Sequence, residues 1–286
     1  MNNLYFFICT VGIFHLGLAQ QIRRRQTDIE NSGNTSSCKD LGINTKFFVG
    51  LQKPLRRHHC GATLLNSHWV LSTAQCRTKG LYAVAGINDV QDYYVMSKID
   101  RIFPHPHWNK TTNADDIALF ELVDTIKANN PFVEYVKLPE KQYPTYQMDY
   151  EVCKSAYILG IPYRKDGTFR DQIRCQLDLQ VMSWQFCSSE YMGAVAVNIL
   201  CTGSGAEVCR GDLGGPLMCG NIQYGVISSQ ECDDEMTPIY TRIDPLLPFI
   251  RAGMRRREKI ARSASQKMYS SGALVVVSLF YYSMMT

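Results

Sequence analysis

The stretch "EVCRGDLGGPLMC", residues 207–219, places a tight turn with the pattern GD-x-GGP between two cysteines. Glycine adopts the backbone conformations that such a turn requires, and a turn of this kind usually presents a small nucleophilic side chain at its apex. Here the apex residue is Leu213, whose side chain contains only carbon and hydrogen. The sequence therefore raises the question of whether this chain can attack any substrate.

Length and composition indicate a globular protein. The chain has 286 residues, of which 45% are hydrophobic, and this is enough for a substantial core. The formal net charge is +4, and the basic residues collect in two runs, at 23–25 and 255–259. A nucleic-acid footprint would spread basic residues over one face, so we do not expect nucleic acid as a partner.

The first 19 residues have the features of a secretory signal peptide. An apolar run ends in small residues, with Gly17 and Ala19 at the two positions that signal peptidase requires to be small. A retained signal anchor is less favoured, because the run is short and lacks basic flanks. We expect cleavage after Ala19 and secretion, with a polar linker or propeptide at 20–37.

The cysteines agree with an oxidising compartment. There are eleven, and the ten that remain after loss of Cys9 with the signal peptide form an even set, which predicts five disulfide bonds. No paired CxxC or HxxxH spacing is present, so neither a metal site nor a cofactor is predicted. Asn34 and Asn109 lie in sequons and are candidate glycosylation sites.

Short apolar runs between turn residues fill most of the chain from Cys38 to about residue 243, which predicts an all-β barrel or sandwich. A terminal helix is predicted to follow, with Asp244 as N-cap and Pro245 in its first turn. The runs are "FFVGLQ", "HWVLSTA", "LYAVAGI", "IDRIF", "IALFEL", "FVEYVKL", "AYILGI", "CQLDLQV", "IQYGVIS" and "IYTRI".

Residues 258–286 form a polar spacer and an apolar tail. The final fourteen residues would reach only roughly 21 Å as a helix, short of the roughly 30 Å hydrocarbon core, so a transmembrane anchor is not expected. Small residues, a spacer and an apolar end fit a glycosylphosphatidylinositol (GPI) signal, with Ser263 or Ser265 as the attachment site. The alternative is an extra strand or a docked peptide.

Three segments together resemble the trypsin-like (chymotrypsin-fold) serine proteases: "HHCGATLLNSHWVLSTAQC" at 58–76, "DDIALFEL" at 115–122 and "CRGDLGGPL" at 209–217. The family motifs TAAHC, DIALL and GDSGGP occur in the same order. The resemblance covers 38–257 and implies two perpendicular six-stranded β-barrels with a C-terminal helix.

Residue by residue, the resemblance puts Gln75 at the position of the catalytic base, Asp116 at that of its orienting carboxylate and Leu213 at that of the nucleophile. An amide does not titrate and a leucine cannot attack, so the implied homologue is catalytically inactive. The Gln75 amide is expected to satisfy Asp116 by a hydrogen bond. Gly211 would remain as part of the oxyanion turn, able to bind a carbonyl or an anion.

The substrate pocket also departs from the family pattern. Ser228 and Ser229 are placed where the family has Trp and Gly, and Pro238 replaces a pocket glycine. Glu207 falls at the position of the acid that recognises Lys or Arg in trypsins, but a surface or salt-bridged role is favoured for it. The nearest basic run before Cys38 is Arg23 to Arg25, where processing of the chain stays open but zymogen activation is not implied. The carboxylate with which a new N-terminus would pair is kept as Asp212.

The resemblance implies the disulfide pairs Cys60 with Cys76, Cys153 with Cys219, Cys187 with Cys201, Cys209 with Cys232, and Cys38 with Cys175. It further implies a secreted or surface-anchored homologue that binds an extracellular protein, such as a protease, a zymogen, an inhibitor or a surface ligand, as a cofactor or decoy in a proteolytic network. Two alternatives remain: a serine hydrolase with a displaced nucleophile, for which Ser204, Ser228 and Ser229 are candidates, and a structural or adhesive domain.

Overall fold

The computed structural model describes residues 36–89, 92–129, 131–163, 172–203, 206, 208–229 and 237–256. The predicted signal peptide and tail lie outside these residues, as do Asn34, Ser204, Glu207, Cys232, Ser263 and Ser265. Across the described ranges, no helix combines the length and apolarity needed to cross a bilayer.

The described part of the chain is mostly strand, with a few short helices. The strands are β1 Ser36–Ser37, β2 Phe48–Lys53, β3 Arg57–Asn66, β4 Trp69–Ser72, β5 Tyr82–Asp89, β6 Asp92–Pro104, β7 Ala118–Leu122, β8 Ser155–Gly160, β9 Arg174–Gln180, β10 Ile199–Cys201, β11 Pro216–Cys219, β12 Ile222–Ile227 and β13 Ile239–Arg242. The helices are the 3-10 turns Ala74–Cys76 and Asp244–Leu246, the α-helical segments Thr145–Gln147, Trp184–Glu190 and 247–256, and the π-helical turn Met148–Val152.

The first six long strands close into a barrel in the order β2-β3-β4-β7-β6-β5, all antiparallel. Its interior is filled by apolar side chains that alternate along the strands, among them Leu51, Leu64 and Phe120, each fully buried. Closure of the sheet leaves this barrel without an exposed edge, which is the usual way in which antiparallel folds avoid edge pairing.

The second sheet has the order β1-β9-β8-β11-β12-β13-β10. It curls until Val181, just beyond β9, pairs with Thr202, just beyond β10. The N–H of Met182 donates to the Cys201 carbonyl at 2.9 Å and extends this closure. Strands β8 to β13 therefore form a second barrel that is only partly closed, with β1 added along β9. The predicted two-barrel fold with its C-terminal helix is confirmed.

The predicted strand "FVEYVKL", residues 132–138, is wrong. This segment joins neither sheet as a strand and instead crosses between the barrels. The N–H of Val136 donates to Leu64 of the first barrel at 2.9 Å, and the carbonyl of Lys137 accepts from Gln223 of the second at 2.9 Å. Its apolar residues pack between the two barrels. Their hydrophobic pattern therefore resembles that of a buried strand.

The C-terminal helix is present, but its predicted N-cap is wrong. The 3-10 turn Asp244–Leu246 precedes 247–256, and its N-cap is Ile243, which makes no side-chain capping bond. The Asp244 carboxylate instead accepts from the buried guanidinium of Arg242 at 2.6 and 2.7 Å. A buried arginine is costly to leave unpaired, so the ion pair takes precedence over capping.

Four disulfide bonds join described residues and link the pairs that the resemblance implied: Cys38–Cys175, Cys60–Cys76, Cys153–Cys219 and Cys187–Cys201. Cys209 is also disulfide-bonded, and its implied partner Cys232 lies outside the described residues. Disulfide bonds in such number are typical of secreted chains and indicate an extracellular protein.

We expect the Cys38–Cys175 bond to stabilise the fold more than the Cys187–Cys201 bond does. The first closes a sequence separation of 137 and the second one of 14. Each bond is expected to contribute about 2–5 kcal/mol to the free energy of unfolding through loop-closure entropy. The bond that closes the longer loop contributes about 2 kcal/mol more than the other. Urea unfolding of two double variants measures this difference: Cys38→Ala with Cys175→Ala, and Cys187→Ala with Cys201→Ala. Equal losses of unfolding free energy in the two would contradict the entropic explanation.

Candidate functional site

Strand pairing brings Gln75 and Asp116 together. Ser72, at the end of β4, pairs with Ala118, at the start of β7. The turn Ala74–Cys76 leaves β4 on the same side on which Asp116 enters β7, so the two residues lie adjacent although they are 41 positions apart. This proximity follows from the barrel register alone.

Asp116 is completely buried, and neutral groups surround its carboxylate. The side-chain amide of Gln75 donates to Oδ2 at 2.7 Å, and the Gln75 backbone N–H donates to Oδ1 at 3.2 Å. Ser228 donates its hydroxyl to Oδ2 at 2.7 Å. The Gln75 amide also donates to the Ser228 carbonyl at 3.0 Å, so both of its N–H hydrogens have acceptors. The expected Gln75–Asp116 hydrogen bond is therefore present.

Two of the predicted pocket residues have other roles. Ser228 is buried, and its hydroxyl donates to Asp116 at 2.7 Å. Ser229 continues the β12–β13 ladder, because its hydroxyl accepts from the Ile239 N–H at 3.0 Å. The reason is register: both serines follow β12 directly and are held by its pairing with β13. Pro238 is buried and directly precedes β13.

Leu213 occupies the apex of the third segment, which lies against the first barrel. Its carbonyl accepts from the Gly61 N–H of β3 at 2.8 Å. Its side chain is 6% exposed and belongs to the same apolar cluster as the disulfide-bonded Cys60 and Cys76. The apex side chain is thus part of a hydrophobic contact, where a hydroxyl would face a potential substrate in an acyl-transfer site.

The turn itself depends on glycine. Gly211 has φ +105°, and a Cβ at this residue would lie 2.4 Å from the Ile161 carbonyl oxygen. Gly214 has φ +83°, and a Cβ there would lie 2.0 Å from the Ser72 hydroxyl oxygen. Both the backbone conformation and the close packing exclude larger residues. The shape of the turn is therefore independent of the residue at position 213.

Two backbone donors of this turn remain available. Within the described residues, the N–H groups of Gly211 and Leu213 donate to no acceptor. Asp212 between them is directed inward, since one of its carboxylate oxygens accepts from the Cys209 N–H at 2.9 Å. A turn with two free N–H groups close together in the chain can bind a carbonyl oxygen or an anion.

The side chain of His58 contacts this turn. Its ring is buried, and Nε2 lies 2.9 Å from the Gly211 carbonyl oxygen. A carbonyl can only accept, so Nε2 carries the hydrogen and Nδ1 carries a lone pair. Burial lowers the pKa of His58 to about 4. The Tyr163 hydroxyl donates to the His58 carbonyl at 2.7 Å, and the Tyr163 N–H donates to the Arg210 carbonyl at 2.7 Å. Tyr163 therefore links the strand of His58 to the turn.

A model of the family described as Trypsin matches residues 36–250. The chain belongs to the trypsin family. Human Kallikrein-15 is 30% identical over 219 residues, covering 70% of this chain and 83% of that protein. Serine protease 57 of Rattus norvegicus is 30% identical over 212 residues, covering 68% and 73%, and Trypsin-3 of Salmo salar is 29% identical over 202 residues, covering 65% and 79%.

Membership of the trypsin family explains the position of the three segments. Two residues that stabilise the turn were not predicted from the sequence. His58 and Tyr163 both stabilise the 210–214 turn, and neither lies in the segment that forms it. A histidine doublet before Cys60 was the available signal for His58. Nothing in the local pattern around Tyr163 indicates a contact 105 positions away.

We expect Gln75→Ala to destabilise the fold by about 1–3 kcal/mol. The change removes a donor from a buried carboxylate and leaves the Ser228 carbonyl without its amide partner. Gln185→Ala, on the exposed face of the helix Trp184–Glu190, is the matched control and should stay within about 0.5 kcal/mol of the unchanged protein. Equal urea midpoints for the two variants would contradict the stabilising role of Gln75.

We expect His58 to make the fold sensitive to acid. Its pKa in the folded chain is about 4, below the value of 6.5 in the unfolded chain, so the unfolded state binds the proton more readily. The stabilisation is present above pH 6.5 and is lost as the pH falls towards 4, by roughly 3 kcal/mol.

The measurement is chemical unfolding of the unchanged protein and of His58→Gln at several pH values. The difference in unfolding free energy between them should shrink by roughly 3 kcal/mol from pH 7 to pH 4. His107→Gln removes an exposed histidine and is the control. A difference that does not change with pH would rule out this assignment.

Proposed function

We propose that this chain is a non-catalytic member of the trypsin family that acts outside the cell by binding a protein partner. The observation that supports this proposal is the hydrogen-bonding state of Gln75. Both of its amide hydrogens are engaged, one by Asp116 and one by the Ser228 carbonyl, at 2.7 and 3.0 Å. The side chain at the base position is therefore a structural donor.

Acyl transfer needs a group that accepts a proton from the nucleophile and later returns it. An amide has no pKa in the range where this is feasible. Asp116 could in principle serve as a base, but it already accepts three hydrogen bonds and is completely buried. Its carboxylate therefore has no exposed surface at which it could take a proton directly from a substrate or from bulk water.

The nucleophile position supports the same proposal. Leu213 offers no attacking atom, and its side chain packs in the apolar cluster around Cys60. The rival enzyme hypothesis requires another serine near the free N–H groups of the turn. The Ser228 hydroxyl donates to Asp116 of the first barrel, and the Ser229 hydroxyl accepts from the Ile239 N–H within the second. Ser204 lies outside the described residues.

Binding is the activity that the remaining features support. The turn keeps two free backbone donors, on Gly211 and Leu213, in a fold stabilised by disulfide bonds. A peptide carbonyl or a terminal carboxylate of a partner is the group that such donors would hold without cleaving it. A protease, a zymogen, an inhibitor or a surface ligand is the class of partner that we propose, with the chain acting as a cofactor or decoy.

The tail separates two forms of this proposal. If the tail is a GPI signal, the tail is removed after Ser263 or Ser265, and the attached anchor would hold the protein at the cell surface as a decoy or adhesive domain. An intact tail would favour a soluble cofactor. The names of the relatives, which include a kallikrein, a serine protease and a trypsin, place proteases in this family and make a protease or its zymogen the first partners to test.

We expect the purified protein to hydrolyse peptides and esters no faster than background and not to react with a fluorophosphonate probe. Loss of one member of the catalytic triad alone costs several orders of magnitude, and two positions lack their function here. Fluorogenic peptide assays and mass spectrometry of probe-treated protein measure both properties. Turnover that survives repurification and disappears on mutation of a residue of this chain would refute the proposal.

The double variant Gln75→His and Leu213→Ser is the informative comparison. It restores the composition of the triad beside Asp116, yet we expect turnover far below that of an active family member. Pro238 still occupies a pocket position, and a misplacement of about 1 Å can cost a hundredfold. Efficient turnover by this variant would show that two residues alone prevent catalysis.

A further inference from the structure

Two histidines and an aspartate meet in the loop between β6 and β7. His105 follows Pro104 directly, and its N–H donates to the Ile117 carbonyl at 2.9 Å, so the two ends of the loop run side by side. One ligand-type atom each from His105, His107 and Asp115 lies within 4.8 Å of the others. His105 Nδ1 and Asp115 Oδ2 are 3.4 Å apart.

We propose that His105, His107 and Asp115 form a binding site for one divalent transition-metal ion, with Zn²⁺ as the ion that fits best. Bonds of about 2.0–2.2 Å at tetrahedral angles would separate a nitrogen and an oxygen ligand by roughly 3.4 Å. The observed separation of His105 Nδ1 and Asp115 Oδ2 equals this value. Two imidazoles and one carboxylate leave a fourth position for water.

The ligand set argues against the harder cations. Ca²⁺ takes six to eight oxygen ligands, and Mg²⁺ requires nearly octahedral oxygen coordination. Imidazole nitrogens suit zinc, copper and nickel instead. A site with two nitrogens and one carboxylate oxygen therefore selects a borderline transition metal.

Two of the three ligands are already positioned by neighbouring groups. The side-chain amide of Asn198 donates to Asp115 Oδ1, which leaves Oδ2 directed at His105. The His105 ring lies edge to face against Phe249, with ring centroids 4.8 Å apart. Outer hydrogen bonds and packing of this kind orient the ligands of metal sites. His107 is exposed, and one of its ring nitrogens already lies within 4.8 Å of the other two ligand atoms.

The alternative explanation is an ordinary histidine–aspartate contact. At 3.4 Å, the distance between Nδ1 and Oδ2 is long for a direct hydrogen bond. Nδ1 accepts a hydrogen bond from the His107 backbone N–H at 3.4 Å, so it presents a lone pair. Two acceptor atoms with no hydrogen between them, Nδ1 and Asp115 Oδ2, do not form a hydrogen bond.

The position of this site connects the two barrels. His105 and Asp115 belong to the loop of the first barrel, whereas Asn198 precedes β10 and Phe249 lies in the C-terminal helix. Asp115 is also the residue before Asp116. A metal ion bound here would stiffen the segment that delivers Asp116 to the candidate functional site.

The test is Zn²⁺ titration of the full secreted protein, purified without a histidine tag and freed of metal by a chelator. We expect one Zn²⁺ per chain by calorimetry, a rise in melting temperature on addition of Zn²⁺, and a visible tetrahedral Co²⁺ spectrum when Co²⁺ is substituted. His107→Ala should weaken Zn²⁺ binding by at least about 10-fold and remove the rise in melting temperature.

The controls separate loss of a ligand from loss of the fold. His107 is exposed, so His107→Ala should melt at the same temperature as the unchanged protein in the presence of EDTA. His59→Gln removes a histidine outside the cluster and should keep full Zn²⁺ affinity. Failure of the unchanged protein to bind Zn²⁺ at one equivalent, or an affinity in His107→Ala and in His105→Gln equal to that of the unchanged protein, would overturn the proposal.

Discussion

The buried carboxylate of Asp116 is the constraint on which the meeting of the two barrels depends. A carboxylate without exposed surface is costly unless donors surround it. The first barrel supplies the backbone N–H and the side-chain amide of Gln75, and the second supplies the hydroxyl of Ser228. Because these donors follow the ends of β4 and β12, satisfying one carboxylate also determines how β4, β7 and β12 approach each other.

The same geometry explains how a turn can keep its shape without a reactive side chain at its apex. Its backbone is set by Gly211 and Gly214, by the bond from Gly61 to the Leu213 carbonyl and by the buried ring of His58. None of these interactions involves the side chain at position 213. Leucine is therefore compatible with the turn and adds an apolar contact, while acyl transfer would need a hydroxyl or a thiol there.

Much of this arrangement could be predicted from the sequence. The three motif segments identified the two-barrel fold, the position of Gln75 beside Asp116, and pairs of cysteines that the structure joins. These features depend on residue type and order, which a sequence contains directly. The misassigned strand at 132–138 and the misassigned cap Asp244 share one cause: a local pattern is ambiguous when other groups compete for the same atoms. For the segment these groups are Leu64 and Gln223 of the two barrels, and for Asp244 the group is the buried guanidinium of Arg242.

The sequence by itself determined which chemical groups are present at each key position: an amide at 75, a carboxylate at 116 and an aliphatic side chain at 213. Only the tertiary structure decided what those groups contact. Ser228 donates to Asp116 across 112 positions, and Asn198 donates to Asp115 across 83, although neither spacing carries a periodic signal. The physical reason is that hydrogen bonds and ligand clusters need atoms within a few ångströms, and packing of two separate barrels brings these residues to that distance.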